Sequence, residues 1–139
     1  MLMISIAVPP SIAMMTEASK NQADRVLLAI AMSYAQALTD QVAADVSVNG
    51  LDILADENLY LNAEGTGFWA RMAWVSGPYE NRNLTASIEI SEIVDYQGLV
   101  SADPASNLFR VVSVTIGVPT TDGQLLDVPV SMVLGEPNP

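Results

Sequence analysis

Apolar residues recur at three- and four-residue steps through the first third of the chain, then give way to short runs and alternations. Leu27, Ile30, Ala31, Tyr34, Leu38 and Val42 form one stripe at helical spacing. Lys20, Gln22, Arg25, Gln36 and Asp40 fall largely away from it. Thr16 or Ser19 offers an N-cap, with Glu17 and Asp24 near the positive end of the helix dipole. Asn49-Gly50 is a strong stop signal, because glycine takes the positive φ that ends a helix at little cost. The pattern predicts a helix over 19–48. Upstream, Ile4-Ser5-Ile6-Ala7-Val8-Pro9 is apolar, and Pro9-Pro10 either starts the helix or kinks it.

Beyond Gly50 the pattern predicts strands. The run 68–75 is aromatic and apolar and stops at Gly77-Pro78. Over 85–91, Ile88 and Ile90 alternate with Ser87, Glu89 and Ser91, which is the period of a half-buried strand. The runs 108–116 and 125–133 flank Thr120-Thr121-Asp122-Gly123 and read as a hairpin. Pro129 has no N–H to donate, which places its strand at a sheet edge or a bulge. A weaker strand is expected at 59–61. The stretch 95–107 reads as a long irregular loop and 135–139 as a short tail. The expected fold is α+β, a long N-terminal helix packed on one face of a four- to five-stranded antiparallel sheet.

Composition narrows the chemistry. The 139 residues suit one domain, and half of them are apolar, enough to build a core. Sixteen acidic residues face five basic ones, for a net charge of −11. Such a surface repels phosphates, and the basic residues do not cluster, so no nucleic-acid partner is expected. There is no histidine and no cysteine, which removes the commonest nucleophiles, bases and soft-metal ligands. Neither a Gly-x-Ser-x-Gly elbow nor a phosphate loop is present. No catalytic residue, cofactor or metal site is expected, and the chain reads as a building block.

Some residues invite a sharper reading. Trp69 and Trp74, on a strand, would point to opposite faces, leaving one for the core and one for a subunit contact or ligand surface. Asp95, Asp103, Asp122 and Asp127 are the candidate oxygen ligands for calcium, but their spacing matches no compact calcium loop and turn formation explains them more simply. Glu89 and Glu92 have no partner acid in view and read as a solvated face. Asn83-Leu84-Thr85 fits a glycosylation sequon, a tripeptide common by chance.

The chain resembles the type IV pilin and pseudopilin superfamily, most nearly minor pilins of the mannose-sensitive haemagglutinin type. The resemblance is carried by the apolar run ending in Ala7-Val8-Pro9, the alanine-rich amphipathic continuation, and the C-terminal strands. It also draws on Ile93-Val94-Asp95-Tyr96-Gln97-Gly98, Phe109-Arg110-Val111-Val112-Ser113-Val114-Thr115, and Asp122-Gly123. It implies a division into an apolar stalk remnant (1–18) and a globular head (19–139), the head comprising helix 19–48 and a sheet within 59–133. Ile4, Val8, Pro9, Ile12, Met14 and Met15 would be the stalk contacts, and Trp69, Trp74, Asp95 and Tyr96 possible surface contacts. The implied partners are other pilin subunits through the N-terminal helix, with the inner membrane holding the chain before assembly into an extracellular or periplasmic filament. Calcium, bound by some pseudopilin heads, is the one ion the resemblance adds.

Residues 1–139 include no basic leader, cleavage glycine or fifth-position glutamate of that family. Fifteen uncharged residues at the start cover only ~22 Å of a ~30 Å hydrocarbon layer. The expectation is therefore an apolar helix that continues upstream of Met1. A type II secretion pseudopilin is the near alternative. A stand-alone carbohydrate- or protein-binding module is the alternative from another class.

Overall fold

In the computed structural model, which describes residues 22–135, a 28-residue helix α1 (Gln22–Asn49) leads into the rest of the chain. A 3-10 turn (Leu51–Leu54), α2 (Glu57–Asn62) and α3 (Phe68–Glu80) follow, then β1 (Thr85–Ile90), a second 3-10 turn (Pro104–Ser106), β2 (Phe109–Pro119) and β3 (Leu125–Gly135). The three strands make one antiparallel sheet in the order β1-β2-β3. The fold is α+β.

The helical stripe does what its spacing requires. Ala31, Tyr34, Ala35, Leu38, Val42 and Val46 are buried, and α1 lies across β2 and β3. The inward residues of β2, Val112, Val114, Ile116 and Val118, are buried in the same core, joined by Ile88 and Val128 from the flanking strands. Each fully buried side chain of this size contributes roughly 1.5–3 kcal/mol of hydrophobic stabilisation. The opposite sheet face is polar at its centre, where the Ser113 and Ser131 hydroxyls meet at 3.0 Å across the β2–β3 pair.

Several sequence expectations hold in detail. Helix α1 ends at Asn49, and Gly50, at φ 82°, donates its N–H to Val46 O at 2.8 Å. β2 and β3 form the hairpin, closed by Pro119 opposite Leu125, with Gly123 at positive φ in the turn. Pro129 lies on the edge strand β3, opposite Thr115. The 95–107 stretch is irregular apart from its single 3-10 turn.

Two expected strands are helices instead, and the sheet has three strands rather than four or five. The segment 59–61 lies in α2, whose first turn is capped by Asp56 accepting a hydrogen bond from Leu59 N at 2.9 Å. The segment 68–75 lies in α3. Its aromatic residues suggest a strand, but Phe68, Met72 and Ser76 are buried at four-residue steps, and Ala70, Arg71, Met72 and Ala73 are strong helix formers. Pro78, taken as a terminator, sits inside α3. Its exposed ring removes one helix hydrogen bond, at the carbonyl of solvent-exposed Trp74. Gly67, the N-cap of α3, is sterically required: a Cβ there would fall 2.6 Å from Ala63 N and 2.8 Å from the carbonyl oxygens of Ala63 and Leu61.

The helical assignment of 68–80 predicts unequal roles for its aromatic residues. Phe68→Ala should lower unfolding free energy by about 3–5 kcal/mol in urea titrations, because it empties the centre of the core. Trp74→Ala should change it by no more than about 0.5 kcal/mol. A large loss at Trp74 would contradict this placement.

Candidate functional site

The stalk-contact residues expected from sequence, Ile4, Val8, Pro9, Ile12, Met14 and Met15, lie outside the described residues, as does the 1–18 segment as a whole. The surface-contact residues are scattered. Trp74 and Tyr96 are each 81 % exposed, on α3 and on the 95–107 loop respectively. Trp69 is half-buried, with its ring edge-on to Phe68 at 5.3 Å. Asp95 accepts from Gln97 N at 2.8 Å and Leu99 N at 3.1 Å, so its carboxylate shapes the loop that presents Tyr96. No hydrogen bond or ring contact joins the tryptophans to Asp95 or Tyr96 among the described residues.

The aspartates considered for calcium behave in part as turn formers. Asp103 caps the Pro104–Ser106 turn by accepting from Ala105 N at 3.1 Å. Among the described residues, no three acidic side chains gather into a cation-binding group.

Three surface or near-surface features remain. The first is the outer face of α1. Between Arg25 and Asp40 the helix has no charged residue, and its solvent side there presents Val26, Ala29, Met32 and Ser33. By length and composition, Asp24–Asn49 is apolar enough to cross a membrane. Its buried stripe is already committed to the sheet, so among the described residues it serves as a core helix.

The second is an ionic clamp. Asp45 on α1 receives both terminal nitrogens of Arg71 on α3, at 3.1 and 2.8 Å. It also accepts from the Tyr60 hydroxyl at 2.8 Å and from Gln41 Nε2 at 2.9 Å. Arg71 Nε donates to Thr66 O at 3.1 Å, and its guanidinium lies 6.0 Å from the Tyr60 ring centre and 5.9 Å from that of Phe68. One carboxylate thus ties three helices together. Burial alone would raise the Asp45 pKa, but hydrogen bonds from Arg71, Tyr60 and Gln41 outweigh it and hold the carboxyl below its ordinary value. The Tyr60 phenol is pushed up, first by burial and then by the Asp45 carboxylate beside it.

The third is a cleft of about 400 Å³ lined by Tyr34 of α1, by Trp69, Ala73, Ser76 and Glu80 of α3, and by Leu84, Thr85 and Ala86 at the start of β1. Tyr34 stacks on Tyr79 with ring centres 4.3 Å apart and planes 6° from parallel, which fixes the phenol at the cleft wall. Burial raises its pKa; the Ser76 hydroxyl opposes this, while Glu80 and Tyr79 add to it. Ser76 is 2 % exposed, and its Oγ completes no hydrogen bond among the described residues.

No protein-family model, no curated protein and no solved structure matches this chain.

Of the cleft residues, sequence reasoning offered only Trp69 as a surface contact, and it read Tyr34 as part of the core stripe. A serine in mid-helix was the available signal for Ser76, but it becomes visible only once 68–80 is read as a helix.

The clamp makes a prediction with a definite sign. The folded pKa of Asp45 is depressed, so its contribution is complete above the unfolded value of 3.8 and fades as pH falls through the folded value. Asp45→Asn should cost about 1–2 kcal/mol at pH 7 in urea unfolding. The gap between variant and parent should narrow below the unfolded value. A gap that is constant down to pH 2 would show that Asp45 acts through shape and not charge.

Proposed function

We propose that this chain is a structural subunit of a type IV pilus-like filament, of the minor-pilin kind, assembling through its N-terminal helix. The observation that carries the reading is the uncharged outer face of α1 over 26–39, on a helix whose other face is filled by its own sheet. A helix buried on one side and greasy on the other has a use for a second neighbour, and the charge-free segment 1–15 continues that character upstream. Sequence resemblance supplies the kind of neighbour: further copies or related subunits packed helix to helix. The function needs no catalytic group.

On this reading the chain waits in the inner membrane by its apolar N-terminal segment and then enters an extracellular or periplasmic filament. The head covers the shaft, and its net charge of −11 sets the character of the outer surface. A pseudopilin of a type II secretion system would use the same contacts with a different partner machine.

The absence of cysteine makes cross-linking a clean test. In cells that assemble the filament, Val26→Cys and Met32→Cys should yield dimers and larger species with a short bis-maleimide. Glu89→Cys, on the outer sheet face, should stay monomeric. A chain lacking residues 1–18 should be a soluble monomer by light scattering. A tight oligomer of that truncated chain, or monomeric behaviour of both α1 variants in the filament fraction, would defeat the proposal.

A further inference from the structure

The cleft between α1, α3 and β1 has chemistry that filament assembly does not use. Its walls are aromatic, its side-chain hydroxyls are those of Tyr34 and Ser76, and its one charged lining residue among the described residues is Glu80. Among the described residues, no lysine or arginine lines it. Glu80 has no salt-bridge partner among the described residues, where the ion pair is Asp45–Arg71. Ser76 Oγ is buried in the cleft wall near the Tyr34 phenol and completes no hydrogen bond within ordinary distance and angle among the described residues, although a serine in a helix ordinarily satisfies itself on a carbonyl one turn back. A buried hydroxyl whose hydrogen bonding is incomplete gains from a further polar partner.

The lining also selects the ligand. An anion meets a carboxylate and a strongly negative chain and has no cation to bind. A cation meets the Glu80 carboxylate, the acceptor oxygens of the Ser76 and Tyr34 hydroxyls, and the aromatic side chains of Trp69 and Tyr34. The Tyr34 phenol already registers this field, since Glu80 makes its ionisation harder. Leu84, Ala73 and Ala86 leave an apolar stretch of wall for a short hydrocarbon stem. At about 400 Å³ the space lies toward the small end of ligand sites.

We propose that this cleft receives a primary ammonium group on a short apolar stem, with Glu80 as counter-charge, the Ser76 hydroxyl as acceptor, and Trp69 and Tyr34 as walls. The same chemistry is offered by a free alkylamine and by a lysine side chain exposed on another protein. The inference does not depend on filament assembly, and its test is made on the isolated 139-residue chain.

The test is titration followed by amide chemical shifts and tryptophan emission, using n-butylammonium and Nα-acetyl-lysine methylamide as probes. The expected result is saturable shifts centred on Ser76, Glu80 and Thr85, weakened by added salt. Equal binding of the two probes points to any accessible amine, and preference for the lysine derivative points to a protein-borne lysine. Glu80→Gln should weaken binding at least about fivefold, the loss of one partly exposed ion pair. Asp127→Asn, which removes an equal charge from the outer sheet face, should change it less than about twofold. Ser76→Ala should bind more weakly while melting no lower than the parent, because it removes a buried hydroxyl whose hydrogen bonding is incomplete. The proposal is overturned if n-butanol, butyrate or methyl glucoside shifts the same residues as strongly. It is equally overturned if Glu80→Gln binds as the parent does, or if the shifts fall elsewhere.

Discussion

The packing of one helical stripe onto one strand governs the molecule. Among the described residues, β2 is the only strand with a partner on both sides, and its inward valines and isoleucine are shielded from water by α1. Ala31 and Ala35 hold the helix close to the sheet, while Tyr34, Leu38 and Val42 fill the space between. The remaining elements are arranged around that contact. α2 and α3 close the end near Asp45, where Arg71 and Tyr60 converge on a single carboxylate. The Tyr34–Tyr79 stack fastens the last turns of α3 to the middle of α1. Little of α1 is free to change its rotation about its axis, so the face it offers to solvent is fixed by the face it buries.

The strength of periodic signals decided what the sequence could disclose. The α1 stripe, the Asn49-Gly50 stop, the 85–91 alternation and the hairpin around Gly123 all rest on several residues pointing to one answer. The region between Gly50 and Leu84 misled for an identifiable reason. Phe68, Trp69, Trp74 and Val75 favour strands by residue type, yet the burial of Phe68, Met72 and Ser76 follows the helical period. Asp56 ahead of Glu57 was a legible cap that residue preference at Leu59-Tyr60-Leu61 obscured. The cleft was beyond sequence reasoning, because Tyr34, Ser76 and Thr85 come from three elements and share no local pattern. Asp45 and Arg71 meet for the same tertiary reason.

The two surfaces with functional promise are physically different. The outer side of α1 over 26–39 is uncharged and extended, which suits repeated contact with a similar surface. The cleft is small, walled by rings and bears one carboxylate, which suits a single side chain or small molecule. One molecule can use both at once, since Val26 and Met32 are not among the residues that line the cleft.

The beginning of α1 is tied to the far end of the hairpin. Asp24 accepts from Thr121 N and from Thr121 Oγ1, each at 3.1 Å, at the turn between β2 and β3. Tension applied along the helix from its amino end therefore reaches the strands first at that turn, where it would peel the hairpin from its tip instead of shearing the valine row behind it. Peeling breaks pairs one after another and shearing breaks them together, so the point at which Asp24 holds the turn decides which of the two a pull would begin.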